Sequence, residues 1–172
     1  MDTEKLKLRI RAVNDYPKKG IVFRDITTLI KDPDSFASVV DEMASRAPNG
    51  INAVVGIEAR GFIFASALAY KLGAGMVPIR KKGKLPAERI SESYDLEYGS
   101  ETVEIHSDAI KGGDRVLIVD DLLATGGTAS AARSLIERLG GEVSAFVFVI
   151  ELKSLRGRDR LGNTPIISLL EY

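Results

Sequence analysis

The chain has 172 residues with 24 basic and 24 acidic side chains, so no global charge argues for a nucleic-acid or anionic-membrane partner. It has no cysteine, which excludes disulfides, thiolate metal sites and cysteine nucleophiles, and its single histidine, His106, excludes a histidine cluster for zinc. The longest apolar run, near Phe146 to Ile150, is too short to span a bilayer, and Met1-Asp2-Thr3-Glu4-Lys5 begins no apolar signal segment, so a soluble cytoplasmic protein of one domain is expected.

Residues 3–13 predict a short helix with Leu6, Ile10 and Val13 on one face, broken by Asp15-Tyr16-Pro17-Lys18-Lys19-Gly20. The stretch from Ile21 to Ile30 reads as irregular or extended, with Phe23 in the core. Asp32-Pro33 opens the next helix, with Pro33 at the tolerated first-turn position. Phe36, Val39, Val40, Met43, Ala44 and Ala47 give it a core stripe, and Pro48-Asn49-Gly50 ends it. Ala53-Val54-Val55-Gly56-Ile57 is a buried strand, followed by Glu58-Ala59-Arg60-Gly61-Phe62 and a helix carrying Ala65, Leu68, Ala69 and Leu72. Ligands of open α/β sheets gather beyond the carboxyl ends of strands. Arg60 is therefore placed to meet a ligand, the alternative being a surface ion pair with Glu58.

Gly75 to Arg80 predicts a third strand, with Pro78 arguing against a fully central place. Arg80, Lys81, Lys82 and Lys84 then crowd around Gly83, either as a solvated face or as counter-charge for an anion at a strand end. Residues 87–100 are polar, acidic and without periodicity, as in a disordered segment or a lid, with Gly83 and Gly99 as hinges. A strand near Thr102 to His106 leaves His106 as an exposed strand residue rather than a catalytic base.

The most informative stretch is Val116-Leu117-Ile118-Val119-Asp120-Asp121-Leu122-Leu123-Ala124-Thr125-Gly126-Gly127-Thr128. Its aliphatic opening reads as a strand buried on both faces, hence central and parallel. Asp120 and Asp121 fall where that strand should end, and Ala132, Leu135, Ile136 and Leu139 mark a following helix. A small-residue loop opening a helix lets backbone N–H groups converge on an anion, and the helix end adds roughly half a positive charge. Thr125 and Thr128 add hydroxyls, and Gly126 and Gly127 allow close approach. A plain turn with Thr128 as N-cap would explain the loop but not two adjacent acids at the end of a buried strand. A divalent-metal site on the acids is less favoured, since no other acid or histidine follows close by in sequence. The arrangement suits a ribose 5-phosphate, its diol on the carboxylates and its phosphate in the loop. No Gly-Lys-Ser/Thr ending is present, which argues against nucleotide triphosphate hydrolysis.

Gly140-Gly141 caps the helix, Val143 to Ile150 is another apolar strand, Leu155 to Leu161 is a short basic connection, and Ile166 to Leu170 a last strand. Strands alternating with amphipathic helices predict an α/β fold with a doubly wound, largely parallel sheet.

The Asp-Asp-loop stretch resembles the phosphoribosyl diphosphate signature of the type I phosphoribosyltransferases. Further segments match in family order: Gly20-Ile21-Val22-Phe23-Arg24-Asp25-Ile26-Thr27, Glu58-Ala59-Arg60-Gly61-Phe62, Arg80-Lys81-Lys82-Gly83-Lys84-Leu85-Pro86 and Leu96-Glu97-Tyr98-Gly99. Over the full chain the similarity is to the adenine-using members. The resemblance implies a small N-terminal hood over residues 1–33 and a flexible catalytic loop over 81–101. It implies transfer of 5-phosphoribosyl from phosphoribosyl diphosphate to adenine, giving AMP and diphosphate, with Mg²⁺ bound mainly through the diphosphate substrate and no dedicated metal ligands. By the same resemblance Phe23 faces the purine, the backbone of Val22 to Arg24 runs along the base edge, and Arg60, Lys81 and Lys84 meet the diphosphate. Asp120 and Asp121 take the diol and Ala124, Thr125, Gly126, Gly127 and Thr128 the 5-phosphate, while Glu97 lies near the base as proton carrier and Tyr98 near the leaving group. Relatives also imply a homodimer and a strained or cis peptide near Glu58-Ala59. Backbone readout suits adenine, because a carbonyl accepts from its exocyclic amine while an N–H donates to a ring nitrogen. The competing expectations are transfer to another base, against which the hood sequence argues, and a non-catalytic regulator that binds phosphoribosyl diphosphate.

Overall fold

The computed structural model describes residues 2–95 and 99–172. Asp2 caps α1 (Thr3–Leu8) by accepting from Lys5 N. The helix expected over residues 3–13 stops there, because Arg11–Asn14 forms β1, antiparallel to β2 (Val22–Asp25) with Val13 opposite Phe23. The turn between them is held by Asp15, whose carboxylate accepts from Gly20 N at 2.7 Å. A short helix, α2 (Thr27–Lys31), follows where irregular chain was expected, and its Leu29 is fully buried. Asp32 caps α3 (Pro33–Arg46) through Ser35 N, as its sequence predicts.

The expected strand at Ala53–Ile57 is β3, buried at every position, and it leads into α4 (Gly61–Leu72) and β4 (Gly75–Lys81). Residues 87–100, read as unpatterned, instead hold β5 (Arg89–Asp95), which makes an antiparallel hairpin with β6 (Ser100–His106). Ile90, Glu92 and Tyr94 are the half-buried positions of β5, alternating with exposed ones. The alternation is regular, but a glutamate and a tyrosine carry two of its inward places, so no apolar period marks it. The remaining elements are β7 (Arg115–Leu123), α5 (Gly127–Arg138), β8 (Glu142–Glu151), 3₁₀ turns at Lys153–Leu155 and Gly157–Arg160, and β9 (Ile166–Glu171).

The seven strands of the main sheet run in the order β5-β6-β4-β3-β7-β8-β9. β4, β3, β7, β8 and β9 are mutually parallel, and only the β5/β6 hairpin joins antiparallel, at Arg80 and Lys81 of β4. That short junction answers the objection raised by Pro78: it pairs with Gly56 of β3 on one flank, and the β6 ladder on the other begins only at Arg80.

The alternation of β7 divides the core into two layers. Leu117 and Val119 meet Val39 and Met43 of α3 and Phe64 and Leu68 of α4, while Val116 and Ile118 meet Ala132, Leu135 and Ile136 of α5. Helices thus cover both faces, as near-continuous apolar strands require. The N-terminal segment shares this core, since Leu6, Ile10, Ile26 and Leu29 lie in the α3/α4 layer.

Candidate active site

β3 pairs with β7 only from Val116 to Val119, whereas β8 continues beside Asp120, Leu122 and Leu123. The two acids are therefore inside β7, where the sequence suggested they end it. Pairing with β8 keeps the strand extended past Val119, and the absent β3 ladder opens one flank beside the carboxylates. The start of α4 closes against that flank. A side chain at Gly61 would put its Cβ 2.8 Å from Asp120 Oδ1 and 2.9 Å from Val119 O, so only glycine permits the approach.

Asp121 is 4% exposed, and its Oδ2 is buried with no hydrogen-bond partner among the described residues. Arg60 Nε stands 3.0 Å from that oxygen as an ion pair whose angle misses hydrogen-bond geometry. Asp120 Oδ1 accepts from Asp121 N at 2.9 Å. Asp120 keeps some residue surface, yet desolvation of its carboxyl, and next the charge of Asp121, pushes its pKa well above the ordinary value. Burial also raises Asp121, with the Arg60 charge opposing. Two acids held so that full ionisation is costly form a site prepared for hydroxyl donors or cationic charge.

Beyond β7, Ala124 to Gly127 turns into α5 with Gly126 at φ +82° as the helix cap. Asp120, Thr125, Gly126, Gly127 and Thr128 line one pocket, into which the unpaired N–H groups of a helix start can donate. Tyr94 of β5 lies over this loop, its ring 3.1 Å from where a Cβ on Gly127 would stand. Its hydroxyl donates to Glu101 Oε2 at 2.8 Å, and burial, aided by Glu101, pushes the phenol up to about 12. Sequence reasoning missed both Tyr94 and Glu101. They come together because Tyr94 stands opposite Glu101 in the β5/β6 ladder.

A second pocket, of about 360 Å³, is lined by Val13, Tyr16, Phe23, Asp25, Thr27 and Arg60. Tyr16 meets the Phe23 ring edge-on at 5.2 Å, and the Arg60 guanidinium lies 5.0 Å from the centre of that ring. Val22 is exposed, and β2 has a strand partner on one edge only, which leaves outward-facing backbone groups from Val22 to Arg24. The Arg24 side chain turns away and stacks on Tyr172 at 4.0 Å, so what Arg24 presents at this edge is backbone. Asp25 is held ionised, its pKa lowered first by the N–H of Thr27 at 2.9 Å.

The ion pair considered between Arg60 and Glu58 is replaced by two others. Glu58 takes Arg80 in a two-point contact at 3.1 and 3.3 Å, and Arg60 goes to Asp121. The Glu58–Ala59 peptide between them is cis. Lys81 N donates to Glu58 Oε2 at 2.9 Å while its ammonium pairs with Glu101 at 3.2 Å, and Lys84 is exposed at the foot of the hairpin. The structure thus gathers Asp120, Asp121, Arg60, Phe23 and the Ala124 to Thr128 loop at one end of the sheet, with Lys81 tied to the hairpin beside them. Glu97 and Tyr98 lie outside the described residues.

Known proteins resemble this chain in sequence and fold. The profile of the Phosphoribosyl transferase domain matches residues 28–164. The adenine phosphoribosyltransferase of Solibacter usitatus is 58% identical over 168 residues, covering 97% of each chain, and that of Chlorobium luteolum is 58% identical over 159 residues, covering 91% of this chain and 90% of its own. The crystal structure of the Thermoanaerobacter pseudethanolicus adenine phosphoribosyltransferase superposes with a TM-score of 0.96 at 48% identity, covering 99% of both chains. The Saccharomyces cerevisiae enzyme, crystallised with an imino-altritol bisphosphate and adenine, superposes with a TM-score of 0.91 at 40% identity, covering 98% of both chains. With a family profile spanning most of its length and relatives 58% identical over nearly their whole length, the chain belongs to the phosphoribosyltransferase family, on the branch of the adenine phosphoribosyltransferases.

Proposed function

We propose that this protein transfers the 5-phosphoribosyl group from phosphoribosyl diphosphate to adenine, giving AMP and diphosphate in purine salvage. The observation that carries the reading is Arg60, which touches the Asp121 carboxylate on one side and the Phe23 ring on the other, so the acid pair and the aromatic pocket share one wall.

In this reading the bond from the anomeric carbon to diphosphate breaks as a purine nitrogen attacks that carbon, through an oxocarbenium-like transition state. The protein's part is positioning and charge stabilisation. Asp120 and Asp121 accept from the ribose diol, and the loop from Ala124 to Thr128 donates backbone N–H groups to the 5-phosphate. Phe23 packs on the purine while backbone groups from Val22 to Arg24 read its edge. Arg60, Lys81 and Lys84 offset the departing diphosphate, Tyr98 sits near that leaving group, and Glu97 carries the proton at the purine nitrogens. Mg²⁺ would be held mainly by the substrate's own oxygens, since the described residues hold no group of three or more His, Cys, Asp or Glu that could bind a metal ion, and Asp121 Oδ2 already faces Arg60. Such an ion supplies neutralisation of the diphosphate charge.

The protein works in the cytoplasm as a homodimer in this scheme. A cysteine-free composition supports the first, and the exposed Ile63 and Tyr70, one above the other on α4, offer an apolar stripe to a second copy. An endpoint assay with phosphoribosyl diphosphate, Mg²⁺ and a panel of bases tests the whole reading. AMP from adenine, with little product from hypoxanthine, guanine or orotate, is the expected result. Product from another base would overturn the specificity, and binding without turnover would make the protein a regulator.

A further inference from the structure

The anion loop is backed on its outer side by a segment outside the pockets described above. Gly157, at the start of the 3₁₀ turn Gly157–Arg160, packs backbone to backbone against it. A Cβ on Gly157 would run into Ala124 O and come within 2.8 Å of Leu123 Cδ1. In the reverse direction, a Cβ on Gly126 would run into Gly157 O and stand 3.2 Å from its carbonyl carbon. Each glycine is thus the clearance that the other segment needs. The loop's neighbouring carbonyls are tied elsewhere, Leu123 O to Leu152 N and Gly126 O to Ser130 N, both at 2.9 Å. Between those ties the loop rests on Gly157.

What holds Gly157 in place is the next residue. Arg158 grips Glu151, the last residue of β8, through Nε at 2.7 Å and Nη2 at 2.6 Å. Nη2 also donates to Ser168 Oγ on β9 at 2.9 Å, and that hydroxyl donates to Glu151. Glu151 is 3% exposed while the Arg158 side chain keeps 40%, so the acid end of this two-point pair is desolvated and its geometry is fixed by the fork. On the other side of Gly157, Arg156 adopts φ +52° and pairs with Asp159 at 2.9 Å, which sets the direction in which the turn leaves. An ion pair anchored on two strands thus adjoins the Gly157 backbone, which packs on the Ala124 to Gly126 peptides, while Arg133 of α5 holds the far end of the turn by donating to Leu161 O at 2.9 Å.

We propose that Glu151, Arg158 and Ser168 form a clamp that positions the anion loop through Gly157, making them positioning residues for the 5-phosphate of the ribose. The proposal rests on the reading of the loop as the 5-phosphate seat. None of the clamp residues touches the loop's anion side, so their effect is confined to the phosphate-bearing part of the ligand.

Affinities of AMP and of adenosine, measured by calorimetry, isolate that part, because the two ligands differ only in the phosphate. The variants are Arg158→Met, Gly157→Ala and, within the loop, Thr128→Val. All three are expected to weaken AMP by roughly tenfold or more, as small misplacements of binding groups do, while leaving adenosine unchanged. If Glu151 left without its partner prevents Arg158→Met from folding, Gly157→Ala keeps the ion pair intact and Glu151→Gln with Arg158→Met removes both charges together. A wild-type AMP-to-adenosine ratio in the clamp variants, or an equal loss of both ligands, with the ratio lowered in Thr128→Val, overturns the clamp alone. A wild-type ratio in every variant, Thr128→Val included, overturns the loop's assignment, and the clamp with it.

Discussion

Arg60 holds its guanidinium 3.0 Å from the Asp121 carboxylate, and that contact is the chief favourable charge on an otherwise desolvated acid. Because the same guanidinium lies over the Phe23 ring, one side chain is shared by the two pockets.

Arg60→Gln removes the charge and keeps most of the side-chain volume. The Asp121 pKa should rise further, since burial then acts without its main opponent. Steady-state kinetics should show kcat/KM for phosphoribosyl diphosphate falling by about 10²- to 10³-fold, the usual consequence of losing one donor aimed at developing charge. A wild-type value would remove Arg60 from the site.

Asp120→Asn should separate stability from activity. The folded protein binds the Asp120 proton more tightly than the unfolded chain does, because its pKa is raised well above 3.8. The stability this group contributes is complete below the ordinary value and is lost as pH rises through the folded-state value. At neutral pH the amide removes that loss and still accepts from Asp121 N. Thermal melting should therefore rise, by roughly 2–4 °C for each kcal/mol recovered, while turnover is abolished. A lower melting temperature with full turnover would contradict both halves.

Tyr94→Phe deletes the hydroxyl that joins β5 to Glu101. Its folded-state pKa of about 12 lies above the ordinary 10.0, so the stability it lends is lost as pH climbs from about 10 towards 12. Burial raises Tyr172 as well, so spectrophotometric titration should show two phenolates arriving late in the native protein and one of them missing from the variant. Loss of the hydrogen bond should cost about 1 kcal/mol of stability. A variant that keeps both late steps would show that neither belongs to Tyr94.

Phe23→Ala should raise the KM for adenine by about tenfold, through lost aromatic contact and burial, and leave that for phosphoribosyl diphosphate within about twofold. Equal effects on both substrates would undo the assignment of the hood pocket.

The main sheet was readable because Ala53–Ile57, Val116–Val119 and Val143–Ile150 are continuous aliphatic runs, which only burial on both faces explains. Val13 was not, because Leu6, Ile10 and Val13 satisfy helical spacing locally and nothing nearby announces Phe23 as a partner across a turn. Glu58 has Arg60 two places away and Arg80 on a neighbouring strand, and strand pairing brought the distant one closer. The loop and the acids were legible as chemistry, yet the continuation of β7 through Asp120 and Asp121 is dictated by β8. Leu155 to Leu161 looked like an incidental basic connection, since the value of Arg158 depends on Glu151 and Ser168, which come together only when β8 and β9 pair.

β3 has five residues and β7 nine, and their ladder ends at Val119. The cleft is thus a step in the edge of the sheet, made by unequal strand lengths and independent of what the side chains there are. Replacing Asp120, Asp121 or Arg60 alters the chemistry on the step without filling it. The same recess can therefore be refitted by changing the β1/β2 ribbon and the β5/β6 hairpin, while the five parallel strands beneath it stay as built.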